Sequence, residues 1–148
     1  FRQKYIEEMA MMLGGYAAEK TIFGDITTGA SSDLQKVTAT AKRLVTRWGM
    51  SEEMGPRTYG ETDEMVFLGR EMHKNRDYSD KTAELIDKEV LSLVTDALQT
   101  AIKVIKENRK QMDKIVAVLL KKETIEKEEW EDLIGAPKKF PKLQVLGS

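Results

Sequence analysis

Between residues 83 and 104 the apolar side chains Ala83, Ile86, Val90, Leu93, Ala97, Ala101 and Val104 recur in steps of three and four. Steps of this size gather them on one side of an α-helix, whereas on a strand they would be scattered over both faces. Ser79 supplies an N-terminal capping residue ahead of the stripe, so the spacing predicts one long helix opening there. A stripe of this length cannot be buried within its own helix and requires other helices against it. The fold class expected is therefore all-α, a helical bundle organised on one long helix.

The remaining segments supply the partners. Residues 3–23 carry Ile6, Met9, Ala10, Leu13 and Ala17 on one face, with Met11 and Met12 on others, which predicts a single, largely buried helix. Gly14 and Gly15 in its middle suggest that another backbone passes close by. Residues 24–31 read as a loop. Leu34, Val37, Ala41, Leu44 and Trp48 define a helix over 33–48, stopped by Gly49. Residues 50–65 are rich in turns, and 65–68 read as a short extended piece. Asn108 marks a break before a shorter helix through Met112, Ile115, Val116, Leu119 and Leu120, and Thr124 is expected to cap a last helix with Trp130, Leu133 and Ile134. Gly135 ends it. Residues 1–134 thus form one helical part. Residues 135–148, with two prolines and three lysines, are expected to be a disordered tail without a core of its own.

Composition removes several classes of function. Twenty-four basic against 25 acidic residues give a net charge of -1, so no field favours nucleic acid or an anionic membrane. No cysteine is present, which excludes disulfides and thiolate ligands. No apolar run approaches the roughly 20 residues of a membrane span. Neither GxxxxGK[ST] nor GxGxxG occurs, so no nucleotide site is expected within these residues. The single histidine, His73, lies in the polar run REMHKNRDYSD and reads as a solvated side chain rather than a catalytic base. Met9, Met11 and Met12 read as core filling before they read as a substrate surface. Lys103, Lys106 and Lys110, with Glu107 among them, read as a solvated face.

Two carboxylates remain. In TTGASSDLQ, residues 27–35, Ser32 and Gln35 fit a capping box, which makes Asp33 the first helical residue, beside the positive end of the helix dipole. Asp33 also lies one turn before Val37 and leans toward the interior, where a carboxylate needs a cation, a set of donors or a proton. A catalytic zinc needs about three protein ligands, normally including histidines, and one histidine without cysteine does not meet that. On residue type alone Asp33 is a structural acid at a helix start and Glu19 a helix-surface acid.

The ordered runs LGGYAAEKTIFGDITTGASSDL, VTRWGMSEEMGP, VFLGR, YSDKTAELIDKEV and LLKKETI, over residues 6–134, resemble the C-terminal peptidase region of the FtsH family of membrane-anchored, ATP-dependent zinc metalloproteases. In that family an HExxH helix supplies two zinc-binding histidines and the glutamate that activates water. The resemblance implies that Asp33, in the family's G-A-S-x-D motif, is the third zinc ligand, and that Glu19, in GG-x-x-A-E, stands behind the histidines and orients an imidazole. HExxH does not occur in these 148 residues. The sequence is expected to begin after that helix, after the ATPase module and after the transmembrane anchor, to contain no catalytic residue of its own, and to be inactive alone. The resemblance further implies protein substrates, quality-control proteolysis, ATP bound only by the full-length protein, a homo-hexameric ring, and a peptidase domain in the bacterial cytoplasm or the organellar matrix or stroma. Tyr16 stands where many relatives have arginine, Lys20 where a second acid is frequent, and Ser32 where asparagine is frequent. The alternative reading is a non-catalytic helical module for assembly or partner binding.

Overall fold

The computed structural model describes residues 1–60 and 77–135. Among the described residues six helices follow one another: α1 (Arg2–Met12), α2 (Gly14–Ile22), α3 (Ser31–Thr46), α4 (Asp80–Glu107), α5 (Arg109–Lys122) and α6 (Lys127–Ile134), with a 3-10 turn, Thr28–Ala30, leading into α3. No strand occurs among the described residues, so the all-α expectation holds. The proposed extended piece at 65–68, His73 and residues 136–148 of the tail lie outside them. The chain divides into two compact units, Phe1–Lys106 and Glu107–Ser148.

The first unit is built on one apolar cluster. Met9 and Leu13, Ala17 of α2, Val37, Ala41, Leu44 and Val45 of α3, and Ile86, Leu93, Ala97 and Ala101 of α4 are buried together, joined by Met54 and Tyr59. Burying a side chain of this kind contributes about 1.5–3 kcal/mol, which is the force that turns each apolar stripe inward. Tyr5 stacks at 4.9 Å on Trp48, so α1 starts where α3 ends.

The expected single helix over 3–23 is two helices meeting at Leu13, where the backbone departs from helical geometry (φ -80°, ψ 0°). Hydrogen bonds nevertheless run through the joint, from Leu13 N–H to Met9 O (3.0 Å) and from Ala17 N–H to Leu13 O (2.8 Å). A Cβ on Gly14 or Gly15 would meet no heavy atom within 4 Å. These glycines therefore do not admit a neighbouring backbone, and the bend falls beside them, at the buried Leu13.

The long helix is capped as expected, Ser79 Oγ accepting from Thr82 N–H at 3.3 Å. Its buried stripe differs at the far end: Val104 is 53% exposed, while Ile102 and Ile105 pack on the cluster. At about 100° per residue, the line Ile86, Leu93, Ala97, Ala101, Ile105 rotates by about 100° around the helix. A rotating stripe is selected by neighbours that cross a helix obliquely, and a straight seam by ones that run along it.

Residues 49–60 join α3 to α4 through buried polar contacts. Ser51 Oγ donates to Glu89 Oε2 (2.6 Å) and accepts from Met54 N–H (3.1 Å). Tyr59 donates its hydroxyl to Met54 O (2.7 Å), and Tyr59 N–H reaches Thr46 O (2.8 Å). Gly49 turns the chain at φ +57°, and a Cβ there would stand 3.2 Å from Pro56 Cα, so both the conformation and the space call for glycine.

In the second unit α5 and α6 pair, with Gln111 donating to Leu133 O (3.1 Å) and Lys122 meeting Glu129 at 2.7 Å. Neither helix has a fully buried residue. The break at Asn108 is where the sequence places it. Thr124 does not cap α6; the N-cap is Glu126, in extended conformation and without a side-chain cap bond.

Candidate metal centre

Asp33 sits on the first turn of α3, as its third helical residue. The capping box expected from Ser32 and Gln35 does not form, because the 3-10 turn runs straight into the helix and Ala30 becomes its N-cap. The capping work falls on Thr27, whose Oγ1 accepts from Gly29 N–H at 3.2 Å. Asp33 stays on the first turn, close to the N-terminal end of the helix.

The inward lean is corrected. The Asp33 side chain is 44% exposed, and its Oδ1 meets Lys36 Nζ at 3.3 Å. The cation that the reading of residues 27–35 left unnamed stands one residue beyond that stretch. This pair is too open to water to contribute more than about 1 kcal/mol. The second carboxylate oxygen, Oδ2, has no protein partner among the described residues. A carboxylate with an open oxygen, on a rigid turn, suits one corner of a metal site. No group of three or more histidine, cysteine, aspartate or glutamate side chains among the described residues could hold a metal ion. The described residues alone therefore do not complete a zinc site, and Asp33 is chemically suited to contribute no more than one ligand to it.

Glu19 lies near the end of α2, and both of its oxygens are engaged by one residue. Thr27 N–H donates to Oε2 at 2.8 Å and Thr27 Oγ1 donates to Oε1 at 3.0 Å. An ionised carboxylate offers about four acceptor sites, so two remain after Thr27 is satisfied. Tyr16 and Lys20 make no ion pair with it. Thr27 and Lys36 are the residues that sequence reasoning missed here. Lys36 had a local signal, the i,i+3 spacing from Asp33. Thr27 had none, being eight residues from Glu19 across a turn.

Elsewhere in the first unit, an apolar groove between α1 and α4 is lined by Ala10, Met11, Gly14, Ala101, Val104 and Ile105, and includes neither Asp33 nor Glu19. Met9 and Met12 fill the core as expected, but Met11 is 76% exposed and borders this groove. No described helix is long and apolar enough to cross a membrane.

Comparison with known proteins gives these residues a setting. The model of Peptidase family M41 matches residues 1–133. The "ATP-dependent zinc metalloprotease FtsH 1" of Conexibacter woesei is 51% identical over 128 residues, covering 86% of this chain and 20% of that protein. "FtsH 3" of Symbiobacterium thermophilum is 47% identical over 90% of this chain and 21% of its own length. The FtsH of Thermotoga maritima is 44% identical over 86% and 21%. The chain thus spans about a fifth of the length of these curated relatives. The helices and these matches together define a class, the helical portion of a metallopeptidase domain. More narrowly, the chain belongs to Peptidase family M41, with FtsH proteases as its relatives.

Proposed function

We propose that this chain is the helical part of the peptidase domain of an ATP-dependent zinc metalloprotease, in which Asp33 is the third zinc ligand. The observation that carries the reading is Asp33 on the first turn of α3, its Oδ2 without a partner among the described residues, in a chain of family M41. The other two ligands are histidines of an HExxH segment outside these 148 residues, which contain one histidine and no such motif. Zinc, when bound, supplies a Lewis acid that polarises the scissile carbonyl and activates water near neutral pH.

The chain's own residues provide placement. Asp33 offers a charged oxygen held by a helix whose next turns are anchored by the buried Val37 and Ala41. Glu19 has acceptor sites to spare beyond Thr27, and one of them orients a histidine by accepting a hydrogen bond from the N–H of its ring. The complete protein carries the ATPase module that binds ATP and the membrane anchor, assembles as a homo-hexamer, and degrades unfolded or membrane proteins as part of quality control. Its peptidase domain faces the cytoplasm in bacteria or the matrix or stroma in organelles. The 148 residues alone are inactive.

Replacing Asp33 by Asn in the complete protein tests the reading. A neutral amide is a poor zinc ligand, so zinc content and zinc-dependent peptide hydrolysis both fall, with affinity down by at least about tenfold. Equal zinc and equal activity in the variant would remove Asp33 from the ligand set. Zinc-dependent hydrolysis by the isolated 148-residue chain would refute its inactivity.

A further inference from the structure

We propose that Glu19 and Thr27 act as one positioning pair that sets where Asp33 stands, an inference that rests on the ligand reading above. Residues 23–29, which lead from α2 to α3, are exposed throughout, and Ala30 is the first buried side chain after them. Phe23 and Ile26, the large apolar residues of the segment, face water. Packing therefore does not fix the path of this loop. A chain of hydrogen bonds does.

The direction of each bond follows from chemistry. An ionised Glu19 can only accept, so the Thr27 hydroxyl must give its proton to Oε1, while Thr27 N–H goes to Oε2. Having spent its proton, Thr27 Oγ1 faces Gly29 N–H with a lone pair and accepts at 3.2 Å. Three bonds thus run from the end of α2, through one threonine, to Gly29 within the 3-10 turn. That turn continues without a break into α3 at Ser31, two residues before Asp33. Charge-assisted, two-point contacts of this kind hold a donor more tightly than neutral single bonds.

The first turn of α3 needs such a hold. Its axis is fixed from Val37 onward by Val37, Ala41 and Leu44, all fully buried, whereas ahead of Val37 the hold is confined to the small buried Ala30 at the N-cap and to the half-buried Asp33 and Leu34. A helix end with so little packing frays. Metal coordination tolerates displacements of only about 0.2 Å in ligand distance. Glu19 and Thr27 suppress fraying at the turn that carries the ligand, and so act on zinc through Asp33 rather than by contact with it.

The test measures zinc affinity in the complete protein by competition with a chromogenic chelator, alongside kcat and KM for a peptide substrate. Thr27→Val removes the hydroxyl and keeps the shape; Thr27→Ser keeps the hydroxyl; Glu19→Gln weakens the acceptor; Asp33→Asn is the reference. Thr27→Val is expected to weaken zinc by about 10–100-fold, as losses of outer partners do, with Thr27→Ser close to wild type. Glu19→Gln combined with Thr27→Val should be little worse than Glu19→Gln alone, because Thr27 is held only through Glu19, whereas Glu19 also serves a histidine. A merely structural role would lower the melting temperature of the zinc-free protein without moving zinc affinity. Wild-type affinity in Thr27→Val, or single effects that multiply in the double variant, would overturn the inference while a zinc-deficient Asp33→Asn kept the ligand reading intact. Unchanged zinc in Asp33→Asn would instead sink the ligand reading, and this inference with it.

Discussion

Replacing Ser51 by alanine removes one small buried hydroxyl that two elements depend on. In the native fold it donates to Glu89 Oε2 at 2.6 Å and accepts from Met54 N–H at 3.1 Å, with Ser51 itself 3% exposed. A hydrogen bond to a charged group contributes about 1.5–3 kcal/mol, and a buried N–H left without a partner costs about 1–3 kcal/mol more. Glu89 is only half-buried, and water recovers part of its loss. The expected cost of Ser51→Ala is therefore about 2–3 kcal/mol, a large share of the roughly 5–15 kcal/mol by which domains are stable. Urea unfolding of the 148-residue chain, followed by the fluorescence of Trp48 stacked on Tyr5, reads this directly. With a slope of about 1–3 kcal/mol per molar urea, the midpoint falls by about 0.7–3 M. Glu89→Gln, made alone and together with Ser51→Ala, tests the pairing, since partners in one bond give a coupling energy of at least about 0.5 kcal/mol. A cost below about 0.5 kcal/mol for Ser51→Ala, or strict additivity with Glu89→Gln, would refute the argument that this contact ties residues 49–60 to α4.

Other substitutions probe the same architecture. Leu93→Ala should destabilise by about 2–5 kcal/mol in calorimetry, whereas Leu91→Ala, at a site 66% exposed, should stay within about 0.5 kcal/mol. Gly49→Ala should lower the melting temperature, since φ is +57° and the added Cβ would press on Pro56 Cα at 3.2 Å. Gly15→Ala should do the opposite and stabilise by up to about 1 kcal/mol, because the new methyl enters open space on a helix; destabilisation there would show that the bend at Leu13 needs both glycines.

What was legible in the sequence was local. The start of α4 at Ser79, the break at Asn108 and the stop at Gly49 each depend on one residue and its near neighbours, and each lies where the pattern puts it. The start of α3 was misplaced, because a capping box at Ser32 competes with a Thr27 cap two turns earlier, and the winner depends on Glu19 reaching Thr27 from another helix. Asp33 looked inward because one turn of spacing aligns it with Val37, yet its side chain is 44% exposed and meets Lys36.

The sequence by itself determined that these residues form helices, how long α4 is, and that neither a phosphate loop nor a complete zinc set lies within them. Those properties follow from the periodicity of side chains and from the inventory of chemical groups, neither of which depends on how helices cross. Only the tertiary structure decided that the buried stripe of α4 drifts from Ile86 to Ile105 and leaves Val104 exposed, that α1 and α2 part at Leu13, and that Glu19 holds Thr27 ahead of Asp33. Each of these is set by the angle and distance between separate helices. Such quantities arise from close packing of whole surfaces, and no short window of residues encodes them.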